Sequence, residues 1–340
     1  MSATDNPTPL VTVIVPCYNA ASWLRETLDS VQAQGVALET IVVDDGSTDD
    51  SAAIVEAEYP WVRLIRSQNN GASHARNLAI PLARGRFIQF LDADDLLPPG
   101  KLELQAKALE TQDAGVAYGD WEYLVQGPDG QFVSGERFSR IIGDDAQLAL
   151  FSDTWFPLHV YLFRSEIVQR VGAFRLDLPI IQDARFTLEV AIQGATFVYT
   201  PGFSAPYRMH STTQNSRRDP AQFRRDVFNN TQQVHRIWQD RGTLTPAREQ
   251  ALLDSYFFVA RASYRRDSTD FEAALQSIEA LRPSAIPRTP RHLGWLSRVV
   301  GYRRAEAIAF RYRQAKALGE RAIPRAVRMG ATASPPIQAR

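Results

Sequence analysis

Charge-poor hydrophobic runs recur four times in the first hundred residues. Each gives way to a polar loop and then to apolar positions at helical spacing. Residues 10–16, LVTVIVP, form a β-branched run that reads as a buried parallel strand. Cys17-Tyr18-Asn19-Ala20 follows as a loop, then a predicted helix with Leu24, Leu28 and Val31 on one face. A second strand is predicted over residues 40–43, ending in DDGSTD, and a helix over 51–58. A third strand covers residues 62–65 and leads through Asn69-Asn70-Gly71 to a helix containing Ala75 and Ala79. The fourth, residues 87–91, stops at Asp92-Ala93-Asp94-Asp95, with Pro98-Pro99-Gly100 beyond. This alternation predicts an α/β fold, a mainly parallel Rossmann-like sheet flanked by helices. Ligands of such sheets bind outside the carboxyl ends of the strands. The polar signals of this chain fall at those ends.

The pattern loosens further on. YGDWEYLVQGPDGQFVSGERF predicts a hairpin turning at Gly127-Pro128-Asp129-Gly130. Its alternating Asp120 and Glu122 face either solvent or the site, solvent being the commoner case. Residues 156–164 predict another strand, beside which Trp155 and His159 either pack in the core or line a pocket. A helix is predicted from Asp183 onward, with Phe186 and Val190 inward. Residues 221–282 read as helices, 283–290 as a linker and 291–321 as one more helix. That last helix carries a stripe of Ala305, Ile308, Ala309, Tyr312 and Ala315. The expected organisation is a catalytic-type domain over 1–218, divided at 115/116, a helical basic extension over 219–330 and a disordered tail over 331–340.

Composition is that of an ordinary globular chain, 44% hydrophobic and 22% charged over 340 residues. The zero net charge hides an asymmetry. Residues 1–216 hold 15 Lys+Arg against 27 Asp+Glu, whereas 217–340 hold 23 against 11. Such a basic segment suits an anionic surface or an acidic partner, including a second copy of the chain or its own acidic domain. No nucleic-acid recognition motif accompanies it, so a nucleic-acid partner is not expected. One cysteine, Cys17, and no visible leader fit a cytoplasmic protein, peripheral to the inner membrane face if the basic helices bind lipid.

The candidate chemistry lies at Asp92-Ala93-Asp94. Carboxylates delivered together to a strand tip repel unless water or a counter-charge separates them, and a divalent cation supplies that charge. Alone, the spacing equally describes a solvated acidic turn. No G-x-G-x-x-G follows the first strand and no P-loop occurs, which argues against dinucleotide-binding and P-loop domains.

Taken together, VTVIVPCYNAASWLRETLDSVQAQ, IVVDDGSTDDS, NNGASHARNLAI and ARGRFIQFLDADDLLPPGKLE resemble, in order and spacing, the family 2 inverting glycosyltransferases of the GT-A fold. The resemblance implies a nucleotide-sugar donor, a Mn²⁺ or Mg²⁺ cofactor, and a glycan or lipid-linked acceptor in polysaccharide or glycolipid synthesis. The alternative is a non-catalytic sugar-nucleotide-binding or scaffold protein with a vestigial site. It places Pro16 and Tyr18 along the nucleobase, with Asp45, and Asp44 beside it, at the polar edge of the base. A carboxylate there accepts a ring N–H of uracil, and thymine and guanine offer N–H groups too. Gly71 allows close backbone approach. Arg76 either lies toward the diphosphate or pairs with Asp44, Asp45 or Asp92. The match assigns Asp92 to ribose or a metal-bound water, Asp94 to the metal, and Asp95 to orienting the next segment. It assigns His210, in Tyr207-Arg208-Met209-His210-Ser211, to the metal or phosphate. Asp183 matches the general base, at a helix start expected to lower its pKa. Most relatives have Glu-Asp where this chain has Gln182-Asp183, which leaves the role of Gln182 open.

Overall fold

A computed structural model describes residues 8–127, 129–152, 154–209 and 219–322, with side chains to residue 316. The chain divides into two compact units, Met1–Asp219 and Pro220–Arg340.

The first unit contains β1 (Val11–Cys17), α1 (Leu24–Gln32), β2 (Leu38–Asp44), α2 (Ser51–Glu58), β3 (Val62–Arg66), α3 (Ala72–Ala79), β4 (Phe87–Phe90) and α4 (Lys101–Gln112). It continues through β5 (Val116–Gln126), β6 (Phe132–Phe138), α5 (Ala146–Ser152), β7 (Leu162–Arg164), α6 (Ser165–Val171), α7 (Gln182–Ile192) and β8 (Phe197–Met209). One eight-stranded sheet runs β3-β2-β1-β4-β7-β5-β6, with β8 also paired to β5. β1, β2, β3 and β4 are mutually parallel, as are β5 and β8. β7 is antiparallel to both β4 and β5, and β6 to β5. All seven residues of β1 are buried, as expected of a central strand covered on both faces. On α1, Leu24, Leu28 and Val31 are buried together with Thr27.

The strand predicted over 156–164 is shorter than the pattern suggests. Only Leu162–Arg164 pairs as a strand, and Leu158–Val160 forms a 3₁₀ turn after Pro157. Side chains, in place of a ladder, satisfy that stretch: Gln89 Nε2 donates to His159 O at 3.1 Å and Gln105 Nε2 to Val160 O at 2.9 Å. The same glutamines accept from buried Lys101 Nζ, both at 2.6 Å. Burial holds the Lys101 pKa well below the usual lysine range. This network joins β4, α4 and the 3₁₀ turn beneath the strand end that carries Asp92.

The second unit is helical among its described residues: α8 (Pro220–Asp240), α9 (Pro246–Ser263), α10 (Ser268–Leu281), α11 (Arg291–Val300) and α12 (Tyr302–Ala322). Thr245 caps α9 by accepting from Arg248 N, and Asp267 caps α10 by accepting from Thr269 N and Asp270 N. The single helix predicted over 291–321 is broken at Gly301, which has φ +76°. The predicted stripe divides as well. Ala305 and Ala309 pack with Leu293, while Ile308, Tyr312 and Ala315 are exposed. No described helix is long and apolar enough to cross a membrane.

Gly85 shows how tightly the first unit is assembled before β4. A Cβ there would lie 2.3 Å from Thr12 N and 2.7 Å from Val11 C, both backbone atoms of the central strand. Gly85→Ala therefore requires the strand itself to shift. The expected cost is about 1–3 kcal/mol, read as a melting temperature several degrees below wild type. An unchanged melting temperature would refute this close packing.

Candidate active site

The loops after β1 and β2 are joined by hydrogen bonds. Asn19 N donates to Ser47 Oγ at 3.0 Å, Thr48 N to Asn19 Oδ1 at 2.8 Å and Ala21 N to Asp49 Oδ2 at 3.0 Å. Pro16 is buried in β1, and Tyr18 projects beyond it with half its surface exposed. Asp44 is buried and accepts from Ser47 N. Asp45 is also buried, and its oxygens accept from Ser67 Oγ at 3.0 Å, Asn70 N at 3.1 Å and Gly71 N at 2.7 Å. Its carboxylate thus fastens the β3–α3 loop. Gly71 stands at the N-cap of α3 with φ +90°, a conformation a side chain would strain, and faces open space.

The acidic turn is held from below. Buried Asp95 accepts from Arg208 N at 2.8 Å and sits 3.1 Å from His159 Nδ1. Burial raises its pKa, and the neighbouring carboxylates of Asp94 and Asp92 add to the rise, while His159 opposes it. From α1, Thr27 Oγ1 donates to both Ala93 O and Asp95 O at 2.9 Å. Asp95 thereby orients the turn, and Asp92 and Asp94 are left partly exposed. Arg76, almost wholly buried in α3, pairs with Asp92 and lies 5.1 Å from the Phe174 ring centroid. Its Nε and Nη1 are buried without a hydrogen-bond partner among the described residues.

Asp183 lies in the first turn of α7, not at its cap, and its Oδ1 accepts from Ala184 N at 2.8 Å. Although part of its surface meets solvent, the surrounding protein raises its pKa; the Arg76 charge opposes the shift and Asp92 reinforces it. The expected lowering by the helix start is therefore corrected: desolvation outweighs the helix field. Gln182 accepts a hydrogen bond from Ser73 Oγ and so ties α7 to α3.

Tyr207 is the functional candidate that residue pattern alone did not single out. Burial raises its hydroxyl pKa, and so do the carboxylates of Asp95, Asp92, Asp183 and Asp94, which places it in the field of both acidic groups. Its ring meets Trp155 at 5.6 Å and Trp121 at 6.3 Å, within an aromatic cluster that includes Tyr123 and Phe138. The motif around residue 207 was the only available signal. His159 does not line a pocket: it is buried against Asp95. Asp120 is likewise engaged, by Arg137 and by the Tyr199 hydroxyl at 2.6 Å. His210 lies outside the described residues.

Asp92, Asp94 and Asp95 offer oxygens within 4.8 Å of one another. An all-carboxylate set suits a hard cation such as Mg²⁺ or Mn²⁺ and disfavours a soft one. With Asp95 engaged below, Asp92 and Asp94 are the two that would hold it. The orphaned Arg76 nitrogens beside Asp92 suit an anionic group next to that cation.

Residues 12–169 fit the model for Glycosyl transferase family 2, so this stretch of the chain is a domain of that family. An Escherichia coli relative, the uncharacterized glycosyltransferase YibD, is 32% identical over 225 residues, 61% of this chain and 64% of its own length. A Sinorhizobium fredii relative, the uncharacterized protein y4gI, is 36% identical over 183 residues, 52% of this chain, yet the match spans only 19% of that protein. Among solved structures, S. aureus TarS 1-349 in complex with UDP-GlcNAc is similar at a TM-score of 0.66 and 20% identity, with 90% of this chain and 92% of that one covered. The likeness to TarS is one of fold, and the fold is GT-A.

A raised Asp183 pKa has a consequence for stability. The folded chain binds this proton more tightly than the unfolded chain, so the ionised group costs stability at neutral pH and the cost disappears below the ordinary aspartate range, about pH 4. Asp183→Asn should therefore melt above wild type at pH 7.5, with the gap closing as the buffer approaches that range. A variant less stable than wild type at neutral pH would contradict the cause assigned to the shift.

Proposed function

We propose that the chain transfers a sugar from a nucleotide-sugar, a UDP-sugar foremost, to a hydroxyl of a glycan or lipid-linked acceptor, with inversion at the anomeric carbon. The observation that carries this reading is the position of Asp183, partly buried in the first turn of α7 and set in the same electrostatic neighbourhood as Arg76 and Asp92 of the acidic turn. Two acidic groups with separate environments divide the work between base and anchor. The UDP-GlcNAc bound by TarS supports a uridine donor, and the GDP-Man and Mn²⁺ bound by the Pyrobaculum calidifontis mannosyltransferase support a metal.

Pro16 and Tyr18 flank the base, while Asp44 and Asp45 keep the surrounding loops in place. Gly71 leaves room for the donor. The unpartnered nitrogens of Arg76 donate to phosphate oxygens. Asp94 and Asp92 hold Mn²⁺ or Mg²⁺, which when bound supplies Lewis-acid stabilisation of the departing diphosphate. His210 joins as a metal or phosphate contact. Asp183 takes the proton of the acceptor hydroxyl. The freed oxygen lone pair forms the new bond to the anomeric carbon on the face opposite the diphosphate, and the old bond breaks with its electrons leaving on the nucleoside diphosphate. The Tyr207 hydroxyl, within the field of both acidic groups, orients the sugar or the acceptor. Synthesis of a cell-surface polysaccharide or glycolipid from the cytoplasmic side suits this chemistry, and the basic second unit suits contact with an anionic membrane face.

General-base assistance is worth about 10²–10⁴-fold in rate. Asp183→Asn should lose transfer by that factor while binding UDP-sugar as wild type does, measured as UDP release beside calorimetric affinity. Transfer within twofold of wild type would remove Asp183 from the base role.

A further inference from the structure

The second unit holds a cleft of about 380 Å³, walled by Phe258, Arg261, Tyr264, Arg266, Phe310 and Arg313. These residues come from α9, the turn that follows it, and α12. The charges on its wall are unevenly compensated. Arg313 pairs with buried Glu306 and lies 5.9 Å from the Phe310 ring centroid. Arg282 and Arg303, elsewhere in the unit, pair with Glu249 and Glu272. Arg261 and Arg266 make no ion pair among the described residues. Arg261 sits in the last turn of α9, where the carbonyl end of the helix favours a cation without neutralising it. Arg266 is exposed at the rim.

Two uncompensated guanidinium groups on one cleft repel each other, and an anion between them reverses the sign of that interaction. A guanidinium fork matches two phosphate oxygens. The remaining wall is aromatic: Tyr264 and Phe310 meet edge to face at 5.4 Å, and Phe258 forms a half-exposed lip. An apolar wall of this kind packs against carbon and lowers the local dielectric around the charges. We propose that this cleft is a binding site for a phosphate ester, its phosphate held by Arg261 and Arg266 and its alcohol portion packed on the aromatic wall. The ester arrives either as a soluble molecule or as the headgroup of an anionic lipid. The lining residues all belong to the second unit, and the test needs no glycosyl transfer.

The test uses the full chain in two arms. Glycerol 3-phosphate is titrated calorimetrically, and vesicles of phosphatidylcholine with or without phosphatidylglycerol are co-sedimented. The expected result is saturable binding in at least one arm, weakened tenfold or more in R261Q/R266Q and unchanged in R298Q, an exposed arginine outside this cleft. Binding of glycerol 3-phosphate alone assigns a soluble ester, and binding of phosphatidylglycerol vesicles alone assigns a lipid headgroup. R266Q, altered only at the exposed rim, repeats the comparison if the double variant melts early. Absence of binding in both arms overturns the proposal. So does binding that the arginine variants leave intact, or that sodium chloride of equal ionic strength reproduces.

Discussion

The burial of Asp95 is the constraint on which the site depends. A carboxylate removed from water is costly unless its oxygens are bonded and its charge is opposed. Here the Arg208 amide and His159 offset part of that cost, and they come from β8 and from the 3₁₀ turn before β7. The two stretches are far apart in the chain, so satisfying Asp95 also closes the sheet around the acidic turn. Asp92 and Asp94 are held at a strand tip because the third carboxylate cannot leave. The contacts from Thr27 to the turn carbonyls serve the same end from the helix side.

Electrostatics in the crevice favour function over stability. Arg76 offers one guanidinium edge to Asp92 and leaves two nitrogens buried without partners. Asp183 is held where ionisation is disfavoured. Tyr207 stands in the field of four carboxylates. The first two arrangements are unfavourable in the isolated chain, and they become favourable when a phosphate or a transferable proton is present. Asp44 and Asp45 contrast with these: both are buried, and Asp45 accepts hydrogen bonds on both oxygens that shape the β3–α3 loop.

The strand and helix order of the first hundred residues was legible because buried parallel strands leave charge-poor runs and their helices leave a 3.6-residue apolar stripe. Motif order singles out Asp92, Asp94 and Asp183, and the fold leaves all three partly exposed. The partners of Asp95 were not legible, since a buried histidine and a backbone amide carry no local signal. Nor was the truncation of the strand before Leu162, where Gln89 and Gln105 replace a ladder with side-chain bonds made across long separations. Residue spacing suggested a lowered Asp183 pKa because a helix start is visible in sequence, whereas the desolvation that outweighs it is a property of the folded crevice. In the second unit the basic bias was plain, but its division into paired and unpaired arginines required the fold.

The account rests on the acidic turn as the seat of a metal-assisted diphosphate site. The most direct measurement is calorimetric binding of a UDP-sugar to wild type and Asp94→Ala, with Mn²⁺ and with a chelator. The account predicts binding by wild type only when Mn²⁺ is present, and its loss in Asp94→Ala at unchanged melting temperature. Equal affinity with and without the ion, or in the variant, would contradict it.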